Sequence, residues 1–134
     1  MGNEVKIDGY HHNLIFKEEV YRVVGACMEV LNTLEPGFLE PVYQQALQHE
    51  LGLQQIPFTA QTPIKISYKD LALEKYYVAD FVIFDRIILE IKALSALDAN
   101  HLAQVLNYLK ATGYPLGLLV NFGAKCLEWK RVAN

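Results

Sequence analysis

The sequence lacks any apolar run long enough to cross a membrane. A span needs roughly 18 or more apolar residues, whereas Glu90 interrupts the run that starts at Ile87 and Asn121 ends the run that starts at Leu116. The first ten residues carry several charged side chains and no apolar signal core. We therefore expect a soluble cytoplasmic protein that makes no contact with a membrane.

Cysteine is also scarce. The two cysteines, Cys27 and Cys126, form no CxxC pair, and the four histidines are scattered without the spacing of zinc ligands. This pattern predicts two reduced, buried thiols and indicates neither a disulfide framework nor a zinc site.

Basic residues are also fewer than acidic residues. The chain has 12 Lys and Arg against 15 Asp and Glu, a net charge of −3. This balance argues against a protein that coats nucleic acid through a general basic surface. It does not exclude an enzyme with a local acidic metal site, because a metal ion can supply the positive charge that meets a phosphate.

The sequence does contain enough apolar material for one core. Of its 134 residues, 52% are hydrophobic and 20% are charged, without repeats or linker-like stretches. We expect a single domain over residues 1–134 that begins with an irregular segment, 1–14.

Hydrophobic periodicity predicts an α/β fold. The predicted elements are helices at 20–34 and 38–51, strands at 64–68, 76–84 and 87–92, a helix at 97–112, and strands at 116–120 and 127–131. The helix at 97–112 has the right length for a parallel crossover. The order predicts a mixed central sheet flanked by helices.

Two acids, Asp80 and Glu90, lie inside segments that otherwise have the composition of core strands. Charged groups are almost never buried without a partner, so each acid needs an explanation. Glu90 and Lys92 are two residues apart in one strand and therefore point to the same face.

The hairpin connection decides whether Asp80 joins them. A two-residue turn at 85–86 places Asp80 opposite Ile91, on the wrong face. A three-residue connection at 84–86 places Asp80 directly opposite Glu90. A shared site therefore predicts a three-residue connection or a bulge.

Two carboxylates that face each other across a strand pair repel each other unless a cation lies between them. Mg²⁺ or Mn²⁺ is the natural candidate, because both ions prefer oxygen ligands. Lys92 offers the alternative of a structural salt bridge. The residues alone leave both interpretations open.

The order of these residues resembles a known superfamily. Asp80, nine intervening residues, and then Glu90-Ile91-Lys92 before a helix are similar to the motif of the PD-(D/E)XK nucleases. Gln104 and Tyr108 in that helix are similar to the QxxxY signature of the RecB-like exonuclease branch. Ala79 stands where the superfamily name has Pro, a departure that changes no ligand.

A closer resemblance begins at Gly37. Residues 37–43 match the pattern of the GxxExxY proteins, an offshoot of the PD-(D/E)XK superfamily, and 107–112 and 117–123 also look like that family. The resemblance covers about residues 17 to 131. It implies a restriction-endonuclease-like core and a metal-dependent phosphodiesterase that acts on nucleic acid, with DNA as the first candidate.

The resemblance also implies residue roles. The implied ligands of Mg²⁺ or Mn²⁺ are Asp80, Glu90, the Ile91 carbonyl and Glu40. Lys92 would position or help to deprotonate the attacking water, and Gln104 would support Lys92. The implied substrate-binding residues are Tyr108, His101 and Tyr43.

Simpler explanations remain for several of these residues. Tyr43 and Tyr108 suit core aromatics with a hydroxyl at the surface. His101 suits an ordinary residue in the first turn of a helix, and Glu40 suits the rim near a positive helix N-terminus.

Two rival functions also remain. The chain could be a non-catalytic binding or regulatory module that kept the nuclease fold. Alternatively, the site acts only when a partner protein or the second subunit of a homodimer supplies a basic surface. The acidic balance favours the rivals, whereas Asp80, Glu90, Lys92 and Gln104 together favour the enzyme.

Overall fold

The protein's structure, a computed structural model, describes residues 3–4 and 14–133. In chain order its elements are β1 (Asn3–Glu4), α1 (Lys17–Leu34), α2 (Glu40–Leu53), β2 (Phe58–Tyr68), β3 (Leu71–Ile83), β4 (Ile87–Lys92), α3 (Ala99–Thr112), β5 (Leu116–Asn121) and β6 (Glu128–Ala133). Each predicted helix and strand has a counterpart. The largest difference is in β2 and β3, which begin several residues earlier than predicted.

The first helix is amphipathic, as its periodicity predicts. Its buried residues recur at steps of one, two, three or four along one face and are Val20, Val23, Val24, Ala26, Cys27, Val30 and Leu31. The helix ends at Glu35, whose φ is 64° and whose N–H donates to the Leu31 carbonyl at 2.8 Å. Pro36 disfavours a helical conformation in the residue before it, which explains the stop.

The sheet is mixed, as predicted. Its strands lie in the order β1-β6-β5-β4-β3-β2. Strands β4 and β5 are parallel and α3 connects them, whereas the pairs β2–β3, β3–β4 and β5–β6 are antiparallel. The predicted parallel crossover is therefore confirmed, and it brings the ends of β4 and β5 to the same edge of the sheet.

Helices cover the sheet on both faces. Helices α1 and α2 pack on one face, called here the α1–α2 face, against residues such as Phe81, Leu89 and Val120. Helix α3 packs on the opposite α3 face, where Val105 and Leu109 contact the remaining apolar residues of the strands. These layers confirm the restriction-endonuclease-like α/β core.

The third helix has a complete N-terminal cap. The Asp98 carboxylate accepts from the Asn100 N–H at 2.8 Å, and His101 Nδ1 accepts from the Asp98 N–H at 3.0 Å. This reciprocal capping box satisfies backbone donors that the first turn leaves unpaired. Gly113, with φ of 77°, ends the helix in the left-handed conformation that glycine adopts readily.

Only part of the predicted irregular segment, 1–14, can be compared with the structure. Asn3–Glu4 pair in parallel with Lys130 and Arg131 of β6, and the other residues up to 13 lie outside the described part of the chain. No helix among the described residues is long and apolar enough to span a membrane.

The prediction of two buried thiols is correct for Cys27 and wrong for Cys126. Burial raises the pKa of the Cys27 thiol to about 12. Cys126 is exposed, because it lies in the loop between β5 and β6 instead of in a core strand.

The contact between α3 and the sheet depends on the absence of a side chain at Gly117. A Cβ there would overlap Val105 Cγ1. We expect Gly117→Ala to lower the free energy of unfolding by about 1–3 kcal/mol, the usual cost of overpacking. Urea unfolding measures this change. Gly25→Ala is the matched control, because nothing lies within 4 Å of its new Cβ and alanine favours the helix.

Candidate metal centre between β3 and β4

Two carboxylates interrupt the hydrogen-bond ladder between β3 and β4. The ladder pairs Ile83 with Ile87 and continues to the pair of Phe81 and Leu89. At the next position the Asp80 N–H donates to Glu90 Oε2 at 2.7 Å. The predicted three-residue connection is therefore confirmed, and it sets Asp80 opposite Glu90.

A second hydrogen bond between β3 and β4 runs in the opposite direction. The Ile91 N–H donates to Asp80 Oδ2 at 2.8 Å. Each carboxylate thus accepts from the backbone of the opposite strand, in the place where the backbone carbonyls would otherwise pair. Past this point β3 and β4 share no ladder, so the two acids stand where the strands diverge.

The alternation of side chains between the two faces of the sheet reverses in both β2 and β3 at the same point. Ala79 and Ile64 pack on the α3 face, whereas Phe81, two residues after Ala79, packs on the α1–α2 face. The register leaves Gln61 and Asp80 out of the ladder, and Gln61 has φ of 49°. This irregularity turns the Asp80 side chain away from both cores and towards β4, and the Gln61 side chain bonds to it.

Burial makes both acids difficult to ionise. Glu90 is only 3% exposed, and its burial, followed by repulsion from Asp80, raises its pKa to about 8. Burial also raises the pKa of Asp80, while the Ile91 N–H and the charge of Lys92 act in the opposite direction. The pair therefore favours a proton or another cation.

Glu40 is close enough to Asp80 for their charges to interact. It is the first residue of α2, and Pro41 is tolerated behind it because the first turn needs no N–H there. Burial first and Asp80 second raise the pKa of Glu40, whereas Lys92 lowers it. Of its two sequence interpretations, the structure favours the one in which Glu40 reaches a polar site.

Gln104 and Tyr108 approach the acids from α3. Gln104 Nε2 donates to the Tyr108 hydroxyl at 3.2 Å, and the Tyr108 ring stacks on Tyr77 at a centroid distance of 5.0 Å. Burial first and the nearby Glu90 second raise the pKa of Tyr108. The QxxxY pair thus forms a hydrogen-bonded unit beside Glu90.

Tyr43 and His101, both predicted to contact substrate, form hydrogen bonds within the protein. Tyr43 is fully buried; its hydroxyl donates to the Glu35 carbonyl at 2.6 Å and accepts from the Phe38 N–H at 3.2 Å. Its ring also stacks on Phe122. Tyr43 therefore fixes the turn before Glu40, and burial leaves it no surface for substrate. His101 Nδ1 completes the cap of α3, and its role as a substrate contact stays a prediction.

Asn121 is a positioning residue that the sequence prediction missed. It is fully buried at the end of β5, opposite Lys92. Its Oδ1 accepts from the N–H groups of Leu94 and Gly123, and its Nδ2 donates to the Leu94 carbonyl and to Glu128 Oε1, all at 2.8–3.0 Å. These bonds clamp the chain directly after Lys92. The only sequence signal was a polar residue ending an apolar run.

Gln44, one turn after Glu40 on α2, also reaches the site. Its Nε2 lies 3.4 Å from the Asp80 carbonyl oxygen, while its Oε1 is buried without a hydrogen-bond partner among the described residues. A buried acceptor without a donor calls for an explanation. A water held beside Asp80 would provide that donor.

The donor set suits a hard divalent cation. Asp80, Glu90 and Glu40 offer only carboxylate oxygens, which Mg²⁺ and Mn²⁺ prefer, and the raised pKa values indicate that the site has too little positive charge of its own. Within residues 14–133, no three His, Cys, Asp or Glu side chains already stand in a metal-holding cluster.

Comparison with known families supports this geometry. The family model described as PD-(D/E)XK nuclease superfamily matches residues 17–132. The chain belongs to the PD-(D/E)XK nuclease superfamily. A nuclease-type function follows for the chain in general terms, and nucleases of this superfamily use divalent metals. No curated protein and no solved structure matches the chain.

The Asn121 clamp gives a first test of this superfamily site. Asn121→Asp removes both Nδ2 donors and places a carboxylate against Glu128 Oε1 and the Leu94 carbonyl. We expect a loss of about 2–4 kcal/mol in the free energy of unfolding, measured in urea at neutral pH. Asn32→Asp, at an exposed position of α1, is the matched control, and an equal loss in both variants would contradict the clamp.

The buried Glu90 gives a second test. Because its pKa is raised above 4.5 to about 8, the folded protein binds this proton more tightly than the unfolded chain does. The stabilisation is complete below the ordinary pKa and is lost as the pH rises to about 8. In the presence of a chelator, the free energy of unfolding should fall by on the order of 5 kcal/mol over this window.

Glu90→Gln separates this effect from other titrations. The variant should flatten the pH profile and be more stable than the unsubstituted protein above about pH 8. Glu29→Gln, at an exposed position of α1, should leave the slope unchanged. An undiminished slope in Glu90→Gln would show that Glu90 is not the proton-binding group.

Proposed function

We propose that the protein is a divalent-metal-dependent nuclease that hydrolyses phosphodiester bonds in nucleic acid, with DNA as the first candidate substrate. The observation that carries this proposal is the pair of Asp80 and Glu90. They face each other across the strand pair, Glu90 buried and Asp80 half-buried, and both have raised pKa values. The charge of Lys92 lowers both pKa values less than burial raises them, so a salt bridge to Lys92 alone leaves part of the negative charge of the pair unbalanced.

Asp80 and Glu90 would hold the metal, with Glu40 and the Ile91 carbonyl as further ligands. The metal would be Mg²⁺ or Mn²⁺, which lowers the pKa of bound water and polarises a phosphoryl group. The carboxylates contribute negative charge and fixed geometry, since their reciprocal bonds to the Asp80 and Ile91 N–H groups limit their rotation.

Lys92 would contact the reacting phosphate. It is on the same face of β4 as Glu90. The Phe122 N–H donates to the Lys92 carbonyl at 2.8 Å, and Asn121 fixes the chain two residues after Lys92. Its ammonium group would donate to a phosphate oxygen, orient the attacking water and stabilise the charge that develops during hydrolysis. The hydrogen-bonded pair of Gln104 and Tyr108 would support Lys92 or hold the substrate.

We also propose that the chain is a GxxExxY protein. Each named position of that motif has a physical task in the structure. Gly37 has φ of 130°, a conformation that L side chains rarely adopt, so the turn before α2 needs glycine. Tyr43 fastens this turn, and Glu40 is thereby directed to the acids. The basic surface that the chain lacks would come from a partner protein or a second subunit.

Metal binding and cleavage can be tested with separate variants. Asp80→Asn should lower metal-dependent cleavage by at least about 100-fold, because it removes a charged ligand. Lys92→Ala should abolish cleavage to a similar extent but retain the metal. Cleavage of single-stranded DNA, double-stranded DNA and RNA with Mg²⁺ or Mn²⁺, together with calorimetric titration of each metal, measures both effects.

Asp85→Asn is the matched control for this experiment. Asp85 is an exposed acid in the connection of the same hairpin, and we expect normal cleavage and metal binding in this variant. Metal binding without cleavage of any nucleic acid would favour the non-catalytic module. Absence of metal binding at millimolar concentration would contradict the proposed function.

A further inference from the structure

The hairpin of β2 and β3 extends past the candidate metal centre. Strand β3 pairs with β4 only at residues 81–83, so residues 71–79 pair with β2 alone. The ribbon formed by residues 62–79 is called here the arm. It starts where β3 and β4 diverge, immediately beside Asp80, and the centre therefore lies at the base of the arm.

The two faces of the arm differ. Ile64 and Tyr77 form a cross-strand pair on the α3 face, where the stack of Tyr77 on Tyr108 fastens the arm to α3. The opposite face carries the pair of Lys65 and Tyr76. Tyr76 is 59% exposed and Lys65 is also exposed. Neither residue packs into a core. An aromatic ring and a cation thus stand side by side in water.

This exposed pair is on the same side of the sheet as α2, which brings Glu40 to the metal centre. Tyr76 and Val78 alternate with the α3-facing residues Tyr77 and Ala79, so they point to the α1–α2 face. Asp80 follows Tyr76 by four residues, which corresponds to about 13 Å of strand. A nucleic-acid strand stacked at about 3.4 Å per nucleotide covers this distance with roughly four nucleotides.

We propose that this face of the arm binds single-stranded nucleic acid and leads the strand to the metal centre. A base stacks on the Tyr76 ring, and the Lys65 ammonium meets a neighbouring phosphate. The binding half of the proposal stands on the arm itself, while the delivery of a strand for cleavage rests on the nuclease function proposed above.

Single strands suit this surface better than duplexes. Duplex binding depends mainly on neutralising many phosphates with Lys and Arg, and the chain has a net charge of −3. Stacking on an aromatic ring needs an unpaired base, and every base offers a suitable face. The α1–α2 side of the arm presents the exposed Tyr76 ring beside the single cation Lys65, which matches the second mode.

Another exposed surface lies at the tip of the arm, where Tyr68 is 61% and Leu71 is 63% exposed. These residues form a terminal cross-strand pair. Self-association of the protein through the tip is the competing explanation for exposed apolar residues on the arm. It predicts a change in molecular mass instead of a change in nucleic-acid affinity, so one experiment distinguishes the two.

The test is binding of fluorescently labelled oligonucleotides, measured by anisotropy in the presence of a chelator so that no cleavage occurs. The probes are an oligodeoxythymidylate and an oligouridylate of roughly 12 nucleotides, within the footprint of single-strand-binding domains, and a blunt DNA duplex of equal length. We expect the protein to bind the single strands more tightly than the duplex. The two single strands reveal whether the arm prefers DNA or RNA.

Three variants assign the binding to the arm. Tyr76→Ala should weaken single-strand binding by about tenfold or more, the usual effect of removing one stacking ring, whereas Tyr76→Phe should retain it. Lys65→Gln should reduce the dependence of affinity on salt, because one phosphate contact is lost. Tyr21→Ala is the matched control, since Tyr21 is 80% exposed on α1 and should change nothing.

The outcomes separate this proposal from the nuclease function. Tighter binding of the duplex, or equal single-strand affinity in Tyr76→Ala and Tyr21→Ala, would overturn it. So would a loss of binding in Tyr76→Ala that is accompanied by dissociation of a dimer in size-exclusion chromatography with light scattering. Single-strand binding that depends on Tyr76 supports the arm even if no cleavage is found, and cleavage without that dependence supports only the nuclease.

Discussion

The structure depends on one exchange of hydrogen bonds, in which the carboxylates of Asp80 and Glu90 replace a step of the ladder between β3 and β4. The Asp80 and Ile91 N–H groups, which a regular sheet would pair with carbonyls, donate to these side chains at 2.7 and 2.8 Å. The exchange opens the strand pair without leaving those two donors unsatisfied. It also buries Glu90 and half-buries Asp80, and their raised pKa values indicate that the residues around them do not fully balance their charge.

The surrounding elements are arranged around this opening. The parallel crossover through α3 brings the ends of β4 and β5 to one edge of the sheet, which is where open α/β sheets generally place their sites. From that edge, Asn121 fixes the chain after Lys92. On the opposite side, Tyr43 fastens the turn that directs Glu40 inwards. The motif residues therefore divide into those that meet the centre and those that hold them there.

The sequence was sufficient for the parts of the fold that have a period. Residue spacing predicted every helix and strand between Lys17 and Ala133 but not β1, which lies in the segment predicted to be irregular. It also placed Glu90 and Lys92 on one face because a strand alternates with period two. The position of Asp80 needed the length of the 84–86 connection, which the sequence left open. The roles of Asn121 and Gln44 could not be predicted, because their partners are distant in the chain and become neighbours only after folding. Tyr43 was misassigned for a similar reason, because its motif position did not reveal its burial.

The charge of the chain bears on how it could meet a polyanion. With a net charge of −3, the protein has no long-range attraction for phosphates, so binding must come from contacts at short distance. A divalent cation between Asp80 and Glu90 would neutralise the two carboxylates at the proposed centre, while Lys92 and the Lys65–Tyr76 pair would contact the strand. Stacking is much less weakened by salt than phosphate contacts are. A weakly charged surface that presents the Tyr76 ring would therefore select nucleic acid with unpaired bases, whereas a basic surface would hold duplexes as well.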